Sequence, residues 1–143
     1  MGGQVTTICY RDGVLAADTA VNAGDMTVGT TVKIARAPDG TIGGAAGPLG
    51  ITTKFLRWLQ DGMIGEPPSG KEVQLMWVTP DGKVWANDGD GAYEMVHAYC
   101  AIGTGYRMAM GAMAFGATAR EAVEVCCDLD HSTRRPITEL ALS

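Results

Sequence analysis

The sequence has no apolar run approaching the roughly 20 residues that a membrane-crossing helix needs. A membrane partner is therefore not expected. It also has no basic cluster: 11 Lys and Arg are scattered against 16 Asp and Glu, for a net charge of −5, and Arg134-Arg135 is the single adjacent pair. That distribution lacks the electrostatic footprint of a nucleic-acid binder. The cysteines Cys9, Cys100, Cys126 and Cys127 form no C-x-x-C spacing, and His97 and His131 belong to no H-x-x-x-H or Cys/His cluster. A structural zinc site has no support, no metal or cofactor is expected, and the thiols read as buried and reduced. The opening residues MGGQVTT have neither the basic nor the apolar region of a signal peptide, which sets cytoplasmic as the expected location.

Glycine, by contrast, is abundant: 20 of 143 residues, about twice the usual share. Many glycines sit in Asp-Gly or Gly-Gly pairs between short apolar runs, the punctuation of strands and tight turns. With 46% apolar and 19% charged residues, the chain reads as one globular domain over 1–143. TTICY, Asp12-Gly13 and VLAAD predict a hairpin, followed by a loop over 22–29. VKIARA and TIGGAAG predict a second hairpin, and Pro48 then opens a helix that Gly62 stops. VQLMWVTPDGKVWAND predicts a third hairpin, YCAIG a strand and YRMAMGAMAF a helix. Thr118 with Glu121 predicts a capped helix to about Leu129, and PITELAL a final strand. Strands, helix, strands, two helices and a strand imply an α+β sandwich of two antiparallel sheets with helices outside.

Three residues stand out chemically. The Asp12-Gly13 turn pairs positions whose numbers sum to 25, which sets Asp18 opposite Thr7, near Thr6. Lys33 lies in the apolar run Val32-Lys33-Ile34. Thr6-Thr7 also fits an ordinary strand, and Lys33 an exposed edge residue with a snorkelling stem. The alternative for Lys33 is burial against a carboxylate, and Asp18 is available.

TTI, then Asp-Gly with LAAD, VKI, GGAAG before a helix, AIGTG before a small-residue helix, and Asp130-x-x-Thr133 followed by Pro-Ile occur in that order over nearly the whole chain. In this the sequence resembles the proteasome β-subunit family, and more closely its bacterial HslV-type and phage-borne members. The resemblance implies the four-layer αββα sandwich of N-terminal-nucleophile hydrolases. It implies a threonine peptidase with Thr6 as nucleophile, acting through its own α-amine once residues 1–5, a possible propeptide, are removed. Asp18 would be the carboxylate, Lys33 the lysine, and Gly47 the oxyanion-hole N–H. Thr104 would support the amine, with Asp130 and Thr133 as the acidic and hydroxyl members of the D-x-x-S element. A peptide or unfolded-protein substrate, a homo-oligomeric ring and an unfolding ATPase partner are implied as well.

This chain departs from the pattern in carrying Arg134-Arg135 where the family has Gly-Gly, and Val5 before the threonine. An amide-bonded Thr6 has no free amine to act as a base. The competing readings are a non-catalytic self-assembling protein, for instance of a phage particle, and an amidase using Cys9.

Overall fold

The computed structural model describes residues 6–23, 26–130 and 132–143; residues 1–5, read above as a possible propeptide, lie outside them. Strands β1 (Thr7–Arg11) and β2 (Val14–Ala17) form the first hairpin, with Ile8 opposite Ala17 and Arg11 opposite Val14. The sum-of-25 register therefore holds. Asp12 and Gly13 both adopt positive φ (51° and 81°), as a two-residue turn matching the strand twist requires.

The segment read as a loop over 22–29 is instead mostly a small hairpin, β3 (Ala20–Ala23) with β4 (Met26–Thr30). The Thr27 hydroxyl donates to Asn22 Oδ1 across it (2.9 Å), and Asn22 Nδ2 donates to the Ser132 carbonyl (3.0 Å). Turn-type residues outnumber apolar ones there, so the strand signal was masked. Strands β5 (Ile34–Arg36) and β6 (Ile42–Ala46) form the second large hairpin, ahead of helix α1 (Leu49–Gln60). Strands β7 (Gln74–Val78) and β8 (Val84–Asn87) form the next, and β9 (Ala92–Met95) pairs with β8. Strand β9 is not among the expected elements, being a short, mostly exposed edge strand with no alternating apolar pattern. After β10 (Tyr99–Gly103) come α2 (Tyr106–Ala114), α3 (Ala119–Leu129) and β11 (Thr138–Ala141). The expected capping box is present: Glu121 N donates to Thr118 Oγ1, and Thr118 N to Glu121 Oε1.

The strands make one sheet ordered β10-β1-β2-β11 and a second ordered β5-β6-β7-β8-β9, all antiparallel. Their layering follows from period-two alternation. In β1 and β2, Ile8, Tyr10, Leu15 and Ala17 enter the core that also holds Ile42, Met76 and Val78 of the second sheet. Cys9 and Ala16 face the other way, onto Ala109 and Met113 of α2 and Val123 and Cys126 of α3. In β7, Leu75 and Trp77 turn outward onto Phe55 and Leu59 of α1. The result is an αββα sandwich, as the sequence reading expected.

Candidate active site

Asp18 follows the last residue of β2 and is fully buried, with Lys33 only 5% exposed. Lys33 Nζ donates to Asp18 Oδ1 at 3.0 Å. The same oxygen accepts the Thr7 backbone N–H at 3.1 Å, and Thr7 O accepts from Asp18 N at 3.2 Å. Asp18 Oδ2 accepts from the backbone N–H groups of Ala20 and Arg134, each at 3.3 Å. A buried carboxylate is tolerable when its lone pairs are matched in this way. Burial pulls the Lys33 ammonium below its ordinary value, and the Asp18 charge and hydrogen bond oppose that pull. Of the two readings left open for Lys33, the buried one is correct. The ion pair meets the chain at the peptide bond joining Thr6 to Thr7.

Thr6 is itself buried, at 2% exposure. Strand β10 crosses directly behind it, with Gly103 opposite Thr7. Gly103 has φ +98°, and a Cβ there would stand 1.9 Å from the Thr6 carbonyl oxygen. Only glycine fits so close an approach at that φ. Gly103 and its neighbour Thr104 line a cleft of about 190 Å³ together with Ala46, Gly47, Glu72 and Gln74. Gly47 (φ +149°) directly follows β6 and sits against the Glu72 carbonyl, where a Cβ would come within 2.8 Å. The fold thus places Gly47 and Thr104 at one cleft, beside the backbone of Thr6.

Thr133 and Asp130 reach this region through Thr7. The Thr133 hydroxyl donates to Asp130 Oδ2 (2.8 Å), and Thr133 Oγ1 lies 3.1 Å from Thr7 Oγ1. A hydroxyl has one proton, so Thr7 is the donor in the second bond. Arg134, which departs from the expected glycine, contributes its backbone: its N–H to Asp18 and its carbonyl to Thr19 N. Residue-type reasoning could not find backbone contributors of this kind. It also missed Gln74, whose Oε1 accepts the Gly103 N–H at 3.0 Å. The Cys9 reading is not supported. Cys9 is fully buried in mid-strand on the helix side, and burial pushes its thiol well up. Among the described residues, no group of three or more His, Cys, Asp or Glu side chains could hold a metal. No helix among them is long and apolar enough to cross a membrane.

No family model and no curated protein matches the sequence. Solved structures match over nearly the whole chain. Eukaryotic HslV from Trypanosoma brucei aligns with TM-score 0.69 at 19% identity, covering 95% of this chain and 99% of that one. The chain has the HslV-like fold. Thiobacillus denitrificans BPH aligns similarly, with TM-score 0.65 and 17% identity over 96% of this chain and 98% of that one. The same protein in complex with epoxomicin gives 0.66 and 18%, with the same coverage. At such identities the likeness is one of fold. Within the HslV-like fold, the buried Asp18–Lys33 pair and the Gly47–Thr104 cleft are this chain's own geometry.

Proposed function

We propose that the protein is a threonine peptidase of the N-terminal-nucleophile type, cleaving peptides or unfolded protein once residues 1–5 are removed. The observation that carries this reading is the buried Asp18–Lys33 pair, hydrogen-bonded to the peptide unit between Thr6 and Thr7. A desolvated charge pair is costly to maintain, and here it is hydrogen-bonded to the backbone beside Thr6, a hydroxyl residue. In the proposed reaction the Thr6 hydroxyl attacks the scissile carbonyl and its proton passes to the freed α-amine. With an ordinary pKa of about 7.7–8.0, that amine is suited to proton transfer near neutrality. The Lys33 cation favours the neutral amine, and Asp18 holds the lysine in place. The Gly47 N–H stabilises the oxyanion, and Thr104 supports the amine. The protonated amine then delivers its proton to the leaving nitrogen, and water releases the acyl group from Thr6. Asp130 and Thr133 brace the site through Thr7. A homo-oligomeric ring, an unfolding ATPase partner and a cytoplasmic location belong to the same proposal.

One observation favours a second reading, a self-assembling protein without hydrolytic activity: Thr6 is 2% exposed and amide-bonded in the 143-residue chain. Peptide turnover separates the two. A chain beginning at Thr6 should hydrolyse peptides, its Thr6→Ala counterpart should not, and the chain beginning at Met1 should be inactive. Epoxomicin, found with the Thiobacillus neighbour, should raise the melting temperature of the Thr6-initiated chain. An assembled Thr6-initiated chain that cleaves nothing across a broad panel would establish the second reading. Full activity with Met1 in place would exclude Thr6 as an N-terminal nucleophile.

A further inference from the structure

Gln74 joins two parts of the site that lie on different sheets. Its backbone is in register with Ala46 across β6 and β7, which sets it beside Gly47, the next residue. Its side chain reaches the other sheet, where Oε1 accepts the Gly103 N–H at 3.0 Å. Gly103 in turn lies opposite Thr7 and packs on the Thr6 carbonyl, too close for any Cβ. A single residue thus spans from the end of the Gly47 strand to the backbone of Thr6. Within the ladder the Gly103 N–H has no acceptor. Thr7 directs both of its backbone groups to Asp18, so Gly103, paired with Thr7, points its N–H away from β1. Among the described residues β10 is an edge strand and Gly103 is buried, so without Gln74 that N–H would be stranded. Gln74 also lines two open volumes, the cleft of about 190 Å³ and a cavity of about 310 Å³ shared with Met76, Ile102 and Met110. Open space flanks the Gln74 side chain, so the hydrogen bond, more than close packing, fixes the end of β10 there.

We propose that Gln74 is a positioning residue. By holding Gly103 against Thr6 from the strand pair that leads into Gly47, it sets the separation between Thr6 and the Gly47 N–H. The assignment rests on the peptidase reading above, in which these two groups are the nucleophile and the oxyanion donor. Gln74 acts through Gly103 and need not touch the substrate. Its effect belongs to the transition state, because a misplacement of about 1 Å can cost about a hundredfold in rate.

Two variants test the role. Gln74→Met keeps the length of the side chain and removes the acceptor, whereas Gln74→Glu keeps an acceptor in the same place. In the 143-residue chain, NMR of Gln74→Met should show faster hydrogen exchange at the Gly103 amide and a shifted Thr6 carbonyl carbon. Gln74→Glu should return both toward wild type. In the Thr6-initiated chain, Gln74→Met should lower kcat by about tenfold or more at nearly unchanged KM, and Gln74→Glu should recover most of the loss. A merely structural contact would lower the melting temperature and leave kcat of the folded protein unchanged, and that result would overturn the proposal. A Thr6 carbonyl signal indifferent to Gln74→Met would overturn it as well. The expected NMR changes without turnover by any Thr6-initiated chain would uphold the coupling of Gln74 to Thr6 and overturn the peptidase reading instead.

Discussion

Thr7 and Thr133 meet hydroxyl to hydroxyl at 3.1 Å, both fully buried, although 126 positions separate them in the chain. Simple strand alternation treats Thr7 as the replaceable partner of Thr6. Its contacts make it a structural tie instead, since it joins β1 to the turn after α3 that holds Asp130. Thr133→Val strands the Thr7 hydroxyl and removes the donor to Asp130, so it should cost about 1–3 kcal/mol. Thr7→Val removes one donor only and should cost less. Urea unfolding of the single and double variants should show coupling, with the double variant less destabilised than the sum.

Replacing one member of the Asp18–Lys33 pair strands the other charge in the interior. Lys33→Met should destabilise by about 3 kcal/mol and Asp18→Ala by up to about 5, because Asp18 also receives three backbone N–H groups. Lys33→Met in the Thr6-initiated chain should abolish turnover even where circular dichroism shows it folded. The pH dependence has a definite sign. Burial lowers the folded Lys33 pKa from 10.5, so the folded state gives up its proton first as pH rises. The unfolded chain then binds more protons, and the stability contributed at Lys33 increases with pH up to about 10.5. Wild type should therefore gain on Lys33→Met over that window, as unfolding midpoints measured side by side would show.

The cysteines act in the opposite direction. Burial pushes Cys100 up to about 12 and Cys126 up to about 11, from an ordinary 9.0. A raised folded value leaves the stabilisation fully present below pH 9.0 and removes it as pH climbs toward the folded values. Urea midpoints at pH 8, 9 and 10, with Cys100→Ala as the reference, should show wild type losing ground. In the native protein a thiol reagent should reach Cys127, which is half-buried, before Cys9, Cys100 or Cys126.

Glycine substitutions should divide sharply by location. At Gly105 a Cβ would lie 2.2 Å from Thr7 Oγ1 and 3.1 Å from Cys126 Sγ. Gly105→Ala should be severely destabilising, and Gly103→Ala more so, because positive φ adds strain to the clash with Thr6. Gly111, inside α2 with nothing within 4 Å of its added Cβ, is the contrast. Gly111→Ala should stabilise by up to about 1 kcal/mol through helix propensity. Thermal melts of the variants would check the ordering.

Features encoded within a few residues were legible from residue types. The Asp12-Gly13 turn sets the register of β1 and β2, and with it the position of Asp18 opposite Thr7. The Thr118–Glu121 box starts α3, and the alternation in β1, β2 and β7 sorts each side chain between sheet core and helix layer. Turn geometry, capping and pleat are local, so they are readable from local residue types. The burial of Lys33, in place of a snorkelling stem, depends on long-range packing, because Asp18 from another hairpin supplies its environment. The same packing brings the backbone of Arg134 to Asp18, ties Thr7 to Thr133, and lays Gln74 against Gly103. Those contacts join strands and turns far apart in sequence, and they exist only once the two sheets have stacked. The exposed strands β4 and β9 belong to the same class, since pairing with a neighbour, and no apolar pattern of their own, holds them extended.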